Sequence, residues 1–480
     1  MAESLRKKTL YGMSWSLVEN FSLQGIQFVI GVLLARVLSP SDYGMVGMLA
    51  IFTAISQTLI NSGFSTAIVR KTDRTQTDLS TAFWFNIGVG IVLYFILFFS
   101  GPLIARFYNV PLLADLIKVT AITLIFNSLC IVQQALFTIK MDFKTQAKIS
   151  VSSSLTTGII GVAMAYNGFG VWSIVWPGVF GGALRCILMW VFSKWRPDKI
   201  FSSASFKDLF SFGSKLLLSG LIDTTYNNIY PIVIGKKFSA TDLGYYSRAD
   251  GYSQLPATTI TNVMQRVTFP MLCEIQNDMS RLEHVYRQLL RLSAFVVFPA
   301  MVGLAALAEP LIRFMITDKW LMCVPYLQIL CFSLMWYPIH AINLNLLQVK
   351  GRSDLFLKLE IIKKMIGVLT IIIAVPFGIM WMCIGRIITS ILCLAVNTYY
   401  TGKLIHVGFI KQMGDLLPIL MLSLFNGAVV LGISCLINNT ALQVIIGLIT
   451  GVVIYTTTAY ILKFKELDFI LETLKIKKRI

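Results

Sequence analysis

Long apolar segments separated by short loops repeat along the whole chain, and this pattern restricts the fold more than any other feature. About fourteen segments are each long enough to cross a bilayer, because a hydrocarbon core of roughly 30 Å needs about 20 helical residues. Hydrophobic residues make up 56% of the 480 residues and charged residues only 13%, whereas a soluble domain carries roughly 25% charge. The sequence therefore predicts an all-α integral membrane protein with about fourteen transmembrane helices. The predicted spans are 12–35, 43–66, 80–104, 112–138, 147–167, 169–193, 210–235, 243–272, 289–316, 321–348, 356–377, 380–404, 413–437 and 440–462.

The distribution of Lys and Arg predicts how the spans are oriented. The chain has 41 Lys and Arg against 23 Asp and Glu, a net charge of +18, and the cations concentrate in every second loop. Lys71, Lys144 and Lys199 stand in three of the basic loops, whereas the loops around Ser41 and Thr241 hold few cations. Because basic loops stay on the cytoplasmic side, both termini are predicted to be cytoplasmic. The same bias accounts for the excess positive charge, so nucleic-acid binding is not expected.

An internal repeat lies at an offset of 200 residues, since RVLSPSDYG at 36–44 aligns with KKFSATDLG at 236–244. In both copies a basic residue, an apolar residue, Ser, Ser or Thr, Asp and Gly coincide, and Ser with Asp suits a helix N-cap. A generic helix-turn-helix connection is the alternative, but each copy also joins the first two helices of a group of six. Because six is even, the two groups have the same orientation and form parallel repeats. The predicted domains are an N-terminal six-helix lobe at 1–200, a C-terminal six-helix lobe at 201–408, and two additional transmembrane helices with a basic cytoplasmic tail at 409–480.

Polar and charged residues inside the predicted spans indicate a hydrated cavity, because such residues are costly in lipid. In the seventh span, polar residues recur every four positions from Ser211 to Asn227 and therefore share one helix face. Shorter polar stripes occur on the first, second and eighth spans. The alternatives are interhelical hydrogen bonding for the uncharged residues and an interfacial anchor for Arg248. The substrate-binding candidates are Lys215, Arg248, Arg386, Arg185, Asn20, Gln24, Gln57, Asn227 and Gln254, and the ion-coupling candidates are Asp223 and Asp250.

The fourteen spans, the two lobes, the N-terminal basic patch (Arg6, Lys7, Lys8) and the LARVLSPSDYG loop at 34–44 resemble a known group. It is the polysaccharide transporter branch of the multidrug/oligosaccharidyl-lipid/polysaccharide exporter superfamily, which holds the Wzx-type flippases. The resemblance covers nearly the whole chain. It implies alternating-access export of an undecaprenyl-diphosphate-linked oligosaccharide from the cytoplasmic to the periplasmic leaflet of a bacterial inner membrane, for O-antigen, capsule or exopolysaccharide. The implied partners are that lipid-linked glycan, membrane lipid, a polysaccharide polymerase and a chain-length regulator.

Several other functions compete with this interpretation. A lipid II flippase is not excluded by local sequence, and a cation-coupled drug exporter of the same superfamily would favour an acidic cavity. A membrane glycosyltransferase or polymerase would be an enzyme, but the sequence has neither a DxD motif in a sizeable soluble domain nor a long periplasmic loop. The eight cysteines occur singly and no GxxxxGK[ST] loop is present, so no metal site, cofactor or direct ATP use is expected. The sequence leaves coupling to H⁺ or Na⁺ open.

Overall fold

The computed structural model describes the backbone of residues 2–61 and 63–477 and the side chains of residues 14–61, 63–266 and 268–472. All regular secondary structure in the described part of the chain is helical, and that part contains no strand. In chain order the α-helices are α1 (Ala2–Val37), α2 (Pro40–Asn61), α3 (Phe64–Arg70), α4 (Gln76–Tyr108), α5 (Leu113–Thr120), α6 (Ile122–Ser128), α7 (Ile131–Ile139), α8 (Phe143–Tyr166), α9 (Trp172–Ser193), α10 (Ser203–Asn227), α11 (Ile229–Lys237), α12 (Ala240–Glu274), α13 (Met279–Ala306), α14 (Ala308–Ile316), α15 (Val324–Leu334), α16 (Tyr337–Val349), α17 (Ser353–Ala374), α18 (Ile379–Ile405), α19 (Phe409–Cys435), α20 (Thr440–Ile461) and α21 (Lys465–Lys477). The predicted N-terminal patch of Arg6, Lys7 and Lys8 lies outside the described side chains.

The helices confirm a multi-pass membrane protein, but the number of spans differs from the prediction. Among the described residues, ten helices are long and apolar enough to cross a membrane, or eleven if the bent pair at 113–128 and 131–139 is one span. The predicted seventh, eighth and eleventh spans are helical but do not meet that test. These spans carry many of the polar and charged residues, and a helix that lines water need not be apolar on every face. The count of fourteen therefore stays a prediction.

The chain forms two compact units, which consist of residues 1–244 and 245–480. In the first unit α1 packs on α8, α8 packs on α9, and α2 packs on α10 and α11. The predicted seventh span thus belongs by contact to the first unit, whereas the repeat assigns it to the second lobe. The lobes were predicted from the sequence repeat, whereas the units are defined by contacts between residues. The lobe boundaries at 200 and 408 therefore remain a prediction.

A buried polar network joins four helices of the second unit. The Tyr286 hydroxyl donates to Asn343 Oδ1 over 2.9 Å, and Asn343 Nδ2 donates to Gln412 Oε1 over 3.1 Å. Gln412 Nε2 lies 3.0 Å from Thr401 Oγ1 and 3.1 Å from the Val407 carbonyl oxygen. Both Asn343 and Gln412 are buried. The network therefore fixes α19, the first helix of the predicted C-terminal pair, to α13, α16 and α18.

We expect Gln412→Ala to lower the free energy of unfolding by about 1–3 kcal/mol, because it leaves several buried polar groups without their partner. The measurement is thermal unfolding of the purified protein in detergent. Gln276→Ala is the matched control, since the Gln276 side chain is exposed and its removal should leave the unfolding midpoint unchanged. Equal midpoints for both variants would show that the network adds no stability.

Ion pairs also attach α19 and α21 to α13 at the predicted cytoplasmic end. The Arg287 guanidinium donates to both oxygens of Asp415 over 2.7 and 2.9 Å, and Arg291 Nε lies 3.0 Å from Glu466 Oε1. The Asp415 side chain is only 7% exposed. Arg287 and Arg291 therefore hold α13, α19 and α21 together.

Candidate functional site

The helices that follow the two repeat loops, α2 and α12, begin with the same capping arrangement. In the first copy, Asp42 Oδ2 accepts from the Ser39 amide at 2.8 Å and from its hydroxyl at 2.7 Å, while Ser39 Oγ accepts from the Asp42 amide at 3.2 Å. In the second copy Ser239 and Asp242 repeat these three bonds at 3.2, 2.6 and 3.1 Å. The predicted N-cap role of these residues is confirmed. Reciprocal caps of this kind satisfy amides that a helix start leaves without partners.

The same two loops touch each other through glycines at equivalent positions of the repeat. A Cβ atom on Gly44 would overlap the carbonyl oxygen of Ala240, and a Cβ atom on Gly244 would overlap that of Pro40. Positions 40 and 44 of the first copy are equivalent to positions 240 and 244 of the second copy. The two contacts are therefore equivalent under the repeat. We call these four residues the glycine contact. Only glycine lets the two backbones approach this closely.

The second helix of the chain, α2, also packs on α10 and α11. Thr58 Oγ1 lies 2.9 Å from Thr224 Oγ1, and Lys71 Nζ lies 3.0 Å from Asp208 Oδ2 near the other end. The Asp208 carboxylate accepts a hydrogen bond from Lys71 and, with the nearby Asp78, raises the pKa of Lys71 above its ordinary value. Lys71, which directly follows α3, is thereby linked to α10 by an ion pair.

The polar stripe of α10 lies on a face that does not pack against α2. Lys215, Asp223 and Asn227 are exposed, as are Ser211 and Ser219, whereas Gly220 and Thr224 face Thr58 of α2. A lipid-facing position for both a lysine and an aspartate in one span would be costly. The exposed stripe therefore fits a water-filled space better than it fits lipid.

Amide side chains form a second polar group in the first unit. Gln57 Nε2 donates to Asn61 Oδ1 over 3.3 Å, and Gln57 Oε1 accepts from Asn127 Nδ2 over 2.8 Å. Asn127, on α6, is a residue that the sequence-based prediction missed, although an amide in an apolar span was the available signal.

Asn20 is exposed and donates to the Ser16 carbonyl of its own helix at 2.8 Å, and Gln24 is half-buried on the same helix.

The remaining predicted cation of the first unit, Arg185, is half-buried on α9. Its Nη2 atom donates to Gln134 Oε1 over 3.3 Å. This bond does not join Arg185 to the α10 stripe or to the Gln57 amide group, so its assignment to the same cavity stays a prediction.

In the second unit the structure brings together two of the predicted residues in an ion pair. Arg386 Nη1 of α18 binds Asp250 Oδ1 of α12, and it also donates to the Tyr246 hydroxyl over 2.8 Å. Gln254 Nε2 donates to the other Asp250 oxygen, Oδ2. Tyr246 is a further residue that the sequence did not indicate. A cation, an anion and two neutral polar groups thus form one cluster inside the predicted spans.

Arg248 lies on the same helix as Asp250 but has a different environment. Its guanidinium carbon is 6.0 Å from the ring centroid of the buried Trp320, a distance at which a cation is attracted to the ring face. The structure therefore places Arg248 beside an aromatic ring of its own unit. Among the described residues no group of three or more His, Cys, Asp or Glu could hold a metal ion.

Comparison with known proteins decides the family. Residues 33–325, more than half of the chain, match the family described as polysaccharide biosynthesis protein. The chain belongs to this family. The matched region includes both repeat loops, the α10 stripe and Asp250, and the predicted family resemblance is confirmed.

Curated relatives of this polysaccharide biosynthesis protein cover most of its length. The teichuronic acid biosynthesis protein TuaB of Bacillus subtilis is 28% identical over 73% of each chain. The lipopolysaccharide biosynthesis protein WzxC of Escherichia coli is 26% identical over 82% of this chain and 80% of its own. The succinoglycan biosynthesis transport protein ExoT of Rhizobium meliloti is 23% identical over 69% of this chain and 68% of its own.

Solved structures share the fold of this family member. The lipid II flippase MurJ, in an inward closed conformation, superposes with a TM-score of 0.77 at 16% identity, covering 94% of this chain and 98% of MurJ. An inward-facing multidrug resistance MATE family transporter superposes with a TM-score of 0.61 at 14% identity, covering 79% of this chain and 95% of its own. At these identities the likeness shows a common fold.

Proposed function

We propose that this protein is a flippase that moves an undecaprenyl-diphosphate-linked oligosaccharide from the cytoplasmic to the periplasmic leaflet of a bacterial inner membrane. The observation that carries the proposal is the exposed charged stripe of α10, in a chain whose fold is that of a lipid-linked substrate flippase. The relatives support the choice of substrate, because their names refer to teichuronic acid, lipopolysaccharide and succinoglycan biosynthesis. Both the substrate and the direction of transport belong to the proposal.

The polar residues within each unit suit a diphosphate joined to sugars. A diphosphate in a low-dielectric medium needs cations to compensate its charge. Lys215 is the candidate cation of the first unit, and Arg248 and Arg386 are those of the second unit, with guanidinium forks that fit phosphate oxygens. Amide groups such as Asn227 and Gln57 can bind sugar hydroxyls. The polyprenyl chain stays in lipid, so the protein moves only the polar head through the cavity.

The proposed transport cycle is alternating access between two parallel six-helix lobes, within a topology of fourteen spans with both termini cytoplasmic. In that topology the glycine contact lies at the periplasmic end, and the Lys71–Asp208 pair lies at the cytoplasmic end. The glycine contact then closes the periplasmic side, and substrate release requires the two repeat loops to separate. A polymerase and a chain-length regulator are the proposed partners that receive the exported unit.

Deletion of the gene tests the proposed function. We expect the lipid-linked oligosaccharide to accumulate on the cytoplasmic leaflet and the surface polymer to be lost, with both defects reversed by a plasmid copy. The leaflet is determined by adding a membrane-impermeant glycosidase or lectin to intact cells and then to permeabilised cells. A plasmid that carries Lys215→Gln should restore export several-fold less well, whereas Lys207→Gln, an exposed residue of α10 outside the predicted span, should restore it fully.

Other outcomes of the deletion would identify a different function. If the lipid-linked oligosaccharide is never made, the protein acts before transport and an enzyme is favoured. If lipid II accumulates instead, the second candidate, a lipid II flippase, is correct. The fold likeness to MurJ is compatible with both candidates, so the accumulated lipid decides between them.

A further inference from the structure

An apolar groove lies between α2, α4 and α10 of the first unit. It has a volume of about 400 Å³, and its lining includes Trp84, Gly88, Val92, Leu93, Phe210 and Leu217. A Cβ atom on Gly88 would meet nothing within 4 Å, so the groove is open at that point. We call this space the α4–α10 groove. Walls of this kind cannot compensate the polar groups of a sugar or a phosphate, so the groove suits a hydrocarbon chain.

The length of the α4–α10 groove matches one leaflet of a bilayer. Its wall on α4 runs from Trp84 to Leu93, which is about 14 Å at a rise of roughly 1.5 Å per residue. One leaflet contributes half of a hydrocarbon core of roughly 30 Å. The groove is therefore long enough to take one lipid chain within a single leaflet.

The end of the groove at Trp84 has the features of a membrane–water interface. The Trp84 indole donates to the Asp198 carbonyl oxygen over 2.8 Å, and tryptophan is enriched at that level of a membrane. The Asp198 amide in turn donates to Ser80 Oγ over 2.9 Å, which fixes the loop on the start of α4. Lys199 directly follows Asp198 and is exposed. A cation therefore stands at the end of the groove where a lipid head group would lie.

The α4–α10 groove lies on a different face of α10 from the charged stripe. Phe210 and Leu217 are seven positions apart and therefore share one helix face. Lys215 stands two positions before Leu217, so it points about 200° away around the helix axis. A lipid whose head group occupies the stripe could place its chain in the groove only by passing around α10. The groove therefore suits a lipid that stays in its leaflet better than the transported lipid.

We propose that the α4–α10 groove binds one chain of an anionic phospholipid of the cytoplasmic leaflet, and that Lys199 binds its phosphate. This resident lipid is not the exported substrate, so the inference goes beyond the proposed function. The leaflet follows from the proposed topology, in which the loop that contains Lys199 is cytoplasmic. The chain fills the space that side chains leave between α4 and α10, and it thereby holds the helix that carries Lys215 against α4.

The head-group contact is tested by native mass spectrometry of the purified full-length protein. The protein is released from nanodiscs that hold equal amounts of phosphatidylglycerol and phosphatidylcholine, and the lipids that stay bound are identified by mass. We expect one retained phospholipid with about fivefold preference for phosphatidylglycerol, because one lysine near an anionic head group contributes on the order of this factor. Lys199→Gln should lose the preference. Lys140→Gln, which changes an exposed cation of another loop, should keep it.

The chain contact is tested by filling the groove. Gly88→Phe places a ring in the open space, so this variant should no longer retain the phospholipid. Gly432→Phe is the matched control, because Gly432 of α19 is also exposed and a Cβ atom there also meets nothing within 4 Å. This control should retain one phospholipid, as the wild type does.

Four results would overturn the inference. Equal retention by Gly88→Phe and Gly432→Phe would place the lipid elsewhere, and retention of the two phospholipids in the nanodisc ratio would identify ordinary boundary lipid. An isoprenoid lipid that copurifies with the wild type and is released by Gly88→Phe would show that the groove takes the substrate chain instead. An unchanged preference in Lys199→Gln would exclude the head-group contact, and this loop substitution decides that point even if Gly88→Phe does not fold. None of these results alters the outcome of the deletion experiment, so the proposed function is tested separately.

Discussion

Alanine at Gly44 or at Gly244 will remove most polymer export while the protein remains in the membrane at normal abundance. A Cβ atom at either position overlaps a backbone carbonyl oxygen of the opposite repeat loop, and a backbone oxygen cannot rotate away as a side chain can. The two helix starts must separate, which disfavours the closed arrangement by about 1–3 kcal/mol. A free-energy change of this size lowers the ratio of closed to open protein roughly 5- to 150-fold.

The measurement combines surface polymer, protein abundance by immunoblot, and labelling of a cysteine introduced at Ser41. In Gly44→Ala and Gly244→Ala, the cysteine should react faster with an impermeant thiol reagent in intact cells, because the loops spend more time apart. Gly25→Ala and Gly251→Ala are matched controls, since a Cβ atom at those positions meets nothing within 4 Å. Normal export and unchanged labelling in both test variants would show that transport does not require the glycine contact.

The glycine contact also shows which parts of the fold the sequence could predict. The capping roles of Ser39 and Asp42 are local, because the two residues are three positions apart and the helix start determines their geometry. The aligned Gly44 and Gly244 indicated a repeat, but not that each glycine touches the other copy. That contact joins residues about 200 positions apart, and no local pattern specifies such a distance.

In the candidate site, too, local features could be predicted from the sequence, whereas contacts between distant helices could not. The α10 stripe follows from a spacing of four residues, which places Lys215 and Asp223 on one face of any helix. The Asp250–Arg386 pair joins helices 136 positions apart in sequence, so the sequence identified both residues and assigned them separate roles. The Arg287–Asp415 ion pair likewise joins two helices that are far apart in sequence, and no local pattern specifies it.

A crosslink between cysteines introduced at Ser41 and Thr241 should stop export reversibly. Each residue directly follows a member of the glycine contact, Pro40 or Ala240, and both side chains are half-buried. Neither substitution touches the capping bonds, which use Ser39 with Asp42 and Ser239 with Asp242. A short methanethiosulfonate crosslinker suits this pair better than a direct disulfide, because it tolerates a wider range of separations than the narrow geometry of a disulfide allows.

The experiment needs a background in which only the introduced thiols react. Six of the eight native cysteines are buried, whereas Cys435 is exposed and Cys273 is partly exposed, so these two are first replaced by serine. With the pair crosslinked, the repeat loops cannot separate, and export should stop until a reductant cleaves the bridge. Each single-cysteine variant treated with the same reagent should export normally, which separates the effect of the bridge from that of modification. Continued export by a protein whose mass shift proves complete crosslinking would mean that the substrate leaves without separation of these loops, and alternating access at this end would then be wrong for this protein.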